Sequence, residues 1–226
     1  MHCDIDLMSN HLFIIKKLQR DVFRRYAFRL TGRILDIGCG VRPYKRFLPQ
    51  GVRYIGIDAA SCGSEDVCAR TETLPFADGC FDALICTEVL EHVKTPAESL
   101  REAGRVLKPG GYIYVSVPQS WGLHYEPDDY WRFTRYGIAT LLESQGFSIS
   151  AIERVGGVFS LIGTRFIDVA WMTATRCFSF LGKRPSERTA TLLCLPGVCF
   201  FYLAAVLLDR IDGHDALGWG VLAQKK

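Results

Sequence analysis

The sequence contains no Cys-x-x-Cys pair, no third glycine after its first glycine turn and no large surplus of one charge. Each absence removes a class of function. Nine cysteines in an odd, unpaired pattern, with Cys39 and Cys86 inside apolar runs that read as buried strands, speak against a disulfide framework and a zinc ribbon. A reducing, cytoplasmic setting is expected, with no metal. A formal charge of +3 is too small to make a case for nucleic acid. No cleavable leader is expected, because the first apolar residues, Leu12 to Ile15, are few and run into Lys16-Lys17. Repeats and low-complexity tracts are missing too. What the chain has in quantity is apolar residues, 49% with a mean hydropathy of +0.11. Its 226 residues suit one domain with elaborations, whose apolar surplus must have a specific place.

Residues 1–32 are read as a basic amphipathic segment, helical from about residue 11. Ile15, Leu18, Val22, Tyr26 and Leu30 recur at helical spacing among seven basic residues from Lys16 to Arg33. Such a helix either packs its stripe on the domain or lies near an anionic partner. From residue 33 strands and helices alternate. "RILDIG", "RYIGID", "FDALICTEV" and "GYIYVSVP" are apolar or β-branched runs bounded by turn residues. A helix fits "PAESLREAGRVLKPGG", ended near Lys108, and another fits Tyr136 to Gln145. "FSISAIERV" and "GWGVLAQKK" read as the last strands. This alternation implies a doubly wound, mostly parallel α/β sheet over residues 33–156 and 216–226, interrupted by a hydrophobic helical insertion at 157–215.

Ligands of open α/β sheets sit at the carboxyl ends of the strands. The first strand ends in Gly38-Cys39-Gly40, whose glycines permit a tight turn and close backbone approach. The second ends in Asp58, placed to accept from both hydroxyls of a ribose. A dinucleotide fingerprint would have glycine where Pro43 stands, and proline offers no N–H to a pyrophosphate. An NAD(P) oxidoreductase is therefore the weaker reading.

The set "LDIGCG", "YIGID", "TLPFADGCFD", "TEVLEHV" and "REAGRVLKPGGYIYVSVP" resembles the class I S-adenosylmethionine-dependent methyltransferases. The resemblance is closest to the branch of quinone-type and other small-molecule enzymes. It implies a Rossmann-like, seven-stranded sheet of order 3-2-1-4-5-7-6 with an antiparallel last strand. It also implies S-adenosylmethionine as cofactor, with Asp36, Gly38, Cys39 and Gly40 beside its amino-acid part and Asp58 on its ribose. Thr73 and Leu74 would line the adenine, and Glu88 would lie near the methionine end. Glu91 reads equally as a site acid or as a solvated acid at a helix start, and His92 as structural. The acid that often meets the adenine amine has no clear counterpart, with Asp66, Glu72 or a backbone carbonyl as candidates. The Arg42-Pro43-Tyr44 continuation and the pattern H-x-x-P-x-D-Y-x-R-x-T, His124 to Thr134, resemble a subgroup found with surface-glycan genes.

That second pattern lies in the loop Pro118 to Gly137, dense in polar and aromatic groups, which reads as a substrate lid. His124 is the expected general base, Asp129 its orienting acid, and Tyr130 and Arg132 the holders of a polar or anionic acceptor. The alternative is a self-packed loop with Arg132 paired to Asp129. In the insertion, 20 residues between Arg188 and Asp209 carry no charge, and Pro196-Gly197 is expected to interrupt them. Two full spans are disfavoured by Arg165, Asp168 and Arg176. An in-plane membrane contact at the inner face, a lid and a homodimer surface all stay open. The sequence thus points to methyl transfer onto a small or lipid- or glycan-linked acceptor, with a non-catalytic cofactor-binding module of the same fold as the further alternative.

Overall fold

In the computed structural model, which describes residues 12–59, 65–180, 187–211 and 215–226, the chain divides into two compact units. One comprises Arg20–Arg154 with Gly218–Lys226, and the other Val155–Leu217 with the described residues up to Gln19.

The first unit is the sheet. Its strands are β1 (Arg33–Ile37), β2 (Arg53–Asp58), β3 (Val67–Cys68), β4 (Phe81–Thr87), β5 (Leu107–Pro118), β6 (Phe147–Val155) and β7 (Gly218–Lys225), in the order β3-β2-β1-β4-β5-β7-β6. β1 to β5 pair in parallel, and β7 runs antiparallel to β5. The order and the reversed last strand are those expected. β1 and β4 are apolar almost throughout because helices cover both faces of a parallel sheet.

α1 (Phe13–Tyr26) contributes residues to both units. Its sheet-unit end turns into a short 3-10 segment, Ala27–Arg29, and buries Phe23, Ala27 and Leu30 against Ile34, Ile85 and Tyr114. Phe23 meets Tyr114 edge-on at 5.0 Å, while Arg24, Arg25 and Arg29 beside it are exposed. α2 (Pro96–Val106) ends two residues before Lys108, and "LKPGG" begins β5 instead of closing the helix. Arg105 explains the stop: its guanidinium reaches the carbonyls of Leu74 and Phe76 and the acids Asp78 and Glu102, fastening the helix end to the preceding turn. α3 (Arg135–Ser144) is capped by Thr134, whose hydroxyl accepts from the Gly137 N–H.

The second unit is a helical pair, α4 (Val158–Phe180) and α5 (Glu187–Leu208). The expected interruption at Pro196-Gly197 does not occur, because α5 continues through Pro196. A proline removes one backbone hydrogen bond, and here Val198 is fully buried with Phe13, Ile14 and Ile167 to offset that loss. The face α4 buries is small and polar as well as apolar: Ser160, Gly163, Thr164 and Ile167. A Cβ on Gly163 would stand 2.6 Å from the Phe201 side chain, so glycine there permits close helix contact. Asp209, buried at the end of α5, accepts from the Gly157, Phe159 and Ser160 N–H groups and from the Ser160 hydroxyl. It therefore caps the start of α4 from the residue that follows α5. Among the described residues no helix is long and apolar enough to cross a membrane.

Candidate active site

The carboxyl ends of β1, β2, β4 and β5 come together at one edge of the sheet. Asp36, the fourth residue of β1, is buried opposite Gly56 and Ile85. Tyr54 donates its hydroxyl to Asp36 Oδ2 at 2.5 Å, while Oδ1 has no hydrogen-bond partner. Burial drives the Asp36 carboxyl up to about 7, against the Tyr54 bond and the Arg42 charge, which pull the other way. β1 then turns through Gly38 (φ +69°), where a Cβ would stand 2.2 Å from Val89 Cγ2, and Gly40 (φ +46°), beside which the space is open. Between them Cys39 is buried, its N–H on the Ile57 carbonyl. The Gly40 N–H donates to Asp58 Oδ2 at 3.0 Å, binding the glycine turn to the end of β2. Asp58 is only partly buried.

Arg42 takes a left-handed φ of 57° and pairs with Asp66 at 3.0 Å, beneath which Tyr54 lies 5.5 Å from its guanidinium. Asp66 also accepts from the Gly56 N–H, which with Arg42 holds its carboxyl below the usual range. Both oxygens are thus engaged within the protein, and Glu72 is engaged with Arg70 and Thr71. Thr73 is exposed and Leu74 buried, its N–H on Glu102 and its carbonyl on Arg105. This fixes the turn that was expected to line an adenine.

At the end of β4, Glu88 sits at φ +53°, with its N–H on the Ser116 carbonyl and Oε1 accepting from the Ser116 hydroxyl at 2.8 Å. A left-handed glutamate in that position stores strain of order 1 kcal/mol or more, a feature that clusters at functional sites. Glu91 follows in a 3-10 turn (Leu90–His92) and is wholly buried with both carboxylate oxygens unbonded. Burial first, and the nearby Glu88 second, hold its carboxyl well above the usual range. It is not the solvated acid that was one of its two readings.

The loop after β5 is seated on this turn: the Tyr130 and Trp131 N–H groups donate to the Glu91 carbonyl, and the Trp131 indole to the Val93 carbonyl. Arg132 holds Asp129 bidentately, at 2.7 Å on each oxygen, and keeps that carboxyl far below its ordinary range. The remaining Arg132 donors go to the carbonyls of Trp121, Gly122 and Trp131. All five are therefore used inside the loop. Asp129 also accepts the His124 N–H at 2.9 Å and lies 3.3 Å from His124 Nδ1. Desolvation lowers the His124 pKa, favouring the neutral imidazole. Tyr130 is exposed and donates to Asp128 at 2.5 Å. Of the four residues expected to work on the acceptor, His124 and Asp129 come together, Arg132 supports them, and Tyr130 stands apart. Sequence reasoning missed Tyr54 and Ser116; an acid inside a buried strand requires a donor from a neighbouring strand, which was the available signal.

A family model described as a methyltransferase domain matches residues 35–115. A ubiquinone biosynthesis O-methyltransferase of Methylocella silvestris is 37% identical over 132 residues, covering 50% of this chain and 49% of that protein. The chain spans between 24% and 56% of the length of eight curated relatives it matches. Among solved structures, the (4+2)-cyclase SpnF superposes with a TM-score of 0.60 at 21% identity, over 92% of this chain and 80% of that one. A 1,6-didemethyltoxoflavin-N1-methyltransferase of Burkholderia thailandensis, solved with S-adenosylhomocysteine, gives 0.57 at 15% identity, over 94% and 78%. At these identities the structures share a fold, which does not fix a reaction.

Proposed function

We propose that this chain, whose residues 35–115 match a methyltransferase-domain model, is a class I S-adenosylmethionine-dependent methyltransferase that transfers a methyl group to a small acceptor, free or linked to a lipid or glycan. The observation that carries the reading is the Asp36–Gly38–Gly40–Asp58 edge, where a glycine turn opens to empty space between two acids. The residues present fit the cofactor. Asp36 keeps one buried acceptor oxygen for the ammonium of an amino-acid moiety, and Asp58 is placed for ribose hydroxyls. Bound there, S-adenosylmethionine supplies a methyl group on a positively charged sulfur that leaves as a neutral thioether.

The protein's own task is then positioning, with exclusion of water by the loop over Glu91. Where the acceptor is a hydroxyl or a protonated amine, His124 is the group to take its proton, held in place through Asp129 and Arg132. The donor requirements of the Arg132 clip mean that Arg132 organises the loop and does not grip an anionic acceptor. Titration with S-adenosylhomocysteine and NAD, followed by transfer of labelled methyl from S-adenosylmethionine into cell extracts, tests the reading. Binding of NAD in preference to S-adenosylhomocysteine would overturn it.

The helical unit supports an attachment as well. Ile162, Phe166, Val169, Phe200 and Leu203 are exposed on α4 and α5 together with Arg165 and Arg210. Apolar side chains with bases beside them suit the plane of an anionic lipid surface, which would bring a lipid-linked acceptor within reach at the inner face of a membrane. Sedimentation with anionic vesicles, resistant to high salt and reduced by Phe200→Ser with Leu203→Ser, checks this. A wild-type protein that ignores vesicles but dimerises would assign the same side chains to a homodimer.

A further inference from the structure

We propose that Glu91, His92 and His124 bind one divalent transition-metal ion of the zinc type, at the acceptor side of the site. One ligand atom from each of the three lies within 4.8 Å of the others. Glu91 Oε1 is 3.8 Å from His92 Nε2, and the two imidazoles meet edge-on at 4.7 Å. Ligands about 2.1 Å from a tetrahedral ion stand about 3.4 Å apart, so modest rotations of the imidazoles complete the geometry.

Two independent observations point to a cation here. Glu91 is fully buried and neither of its oxygens has a hydrogen-bond partner. A buried acid in that state is costly unless it is neutral or meets a cation. The second concerns the imidazoles. His92 Nδ1 lies 2.6 Å from the Asp128 carbonyl and His124 Nδ1 lies 3.1 Å from the Gly122 carbonyl. A carbonyl only accepts, so both Nδ1 atoms carry a proton, and in the neutral imidazoles it is Nε2 that keeps the lone pair for a ligand. Backbone carbonyls that orient imidazoles through the far nitrogen are the usual second layer of a metal site. Two imidazoles and one carboxylate form a three-ligand set that leaves coordination positions open and suits zinc, iron, nickel or copper better than magnesium or calcium.

The role of the ion rests on the methyl-transfer reading; its binding does not, and with His124 Nε2 on the metal the ion takes over the part that the imidazole would otherwise play as base. An acceptor hydroxyl entering an open position would release its proton to water at a lower pH than when free. Its oxygen lone pair then forms the bond to the methyl carbon, the carbon–sulfur bond breaks toward sulfur, and a methyl ether and a neutral thioether result. The acceptor class this selects is a metal-ligating oxygen compound, such as a hydroxyl flanked by a second oxygen. Sequence spacing hid the site because His124 joins from a loop 32 residues beyond His92, a difference of the two residue numbers.

The test uses the full chain, stripped with a chelator and titrated with Zn(II) alone and, for its visible absorption, with Co(II). One equivalent should bind, and thermal stability should rise. Glu91→Gln, His92→Ala and His124→Ala should each weaken binding roughly tenfold or more. His124 lies on a loop, so its variant keeps the test open if a buried substitution misfolds. S-adenosylhomocysteine titrations of the same proteins separate the two readings, since cofactor binding without metal binding would overturn only the metal. Failure to bind one equivalent, or equal binding by all folded variants, overturns the proposal.

Discussion

Affinity for S-adenosylhomocysteine should follow the ionisation of Asp36. The carboxyl is pushed up to about 7 by burial, with one oxygen bonded to Tyr54 and the other unpartnered. A ligand ammonium bonds to the ionised form, so below about 7 binding must first expel a proton. Each further unit of acidity then costs tenfold in affinity, about 1.4 kcal/mol. At pH 6 the dissociation constant should be roughly ten times its plateau value, and at pH 5 roughly a hundred times. The same carboxyl titrates near 3.8 when exposed, so between 3.8 and about 7 the folded, ligand-free protein holds more protons than the unfolded chain. Its stability should consequently fall as pH rises through that interval, and ligand should restore it. Calorimetric titration from pH 5.5 to 8, with thermal melts alongside, measures both. Asp36→Asn separates this effect from Glu91, whose carboxyl is also raised: the variant should bind weakly and with little pH dependence. A wild-type affinity that is flat from pH 5.5 to 8 would refute the reasoning.

Asp58→Ala should weaken S-adenosylhomocysteine binding about tenfold or more by removing charge-assisted bonds, with an unchanged circular dichroism spectrum. Gly38→Ala and Gly40→Ala should diverge. The first must displace Val89 and hold alanine at φ +69°, costing about 2–3 kcal/mol in a denaturant titration, whereas the second meets open space and should cost about 1 kcal/mol while obstructing the cofactor. Asp209→Ala strands three N–H groups at the start of α4 and should lower stability by about 2–4 kcal/mol, read as a fall in melting temperature. Arg132→Ala should release Asp129 and with it His124, lowering turnover more than cofactor affinity, as steady-state kinetics and a parallel titration would report.

Alternating apolar runs and glycine turns determined the sheet and its cofactor edge, because both depend on short-range constraints. A parallel strand buried on both faces must be apolar along its length, and a turn at positive φ favours glycine, so "LDIGCG" and "YIGID" announce β1, β2 and the acids at their ends. Local pattern also located the helical pair, but not its continuity through Pro196 or the cap at its start. Those depend on what packs against α5 and on Asp209 reaching back 52 residues, the separation of its partner Gly157, to cap α4. Tertiary structure alone decided how the loop after β5 is held. The five Arg132 donors find partners at Trp121, Gly122, Asp129 and Trp131, which favours a part in holding its own loop. Whether Glu91 is a solvated acid or a buried one is settled by the loop laid across it. Burial and mutual distance are properties of folded neighbours, and no spacing along the chain carries them.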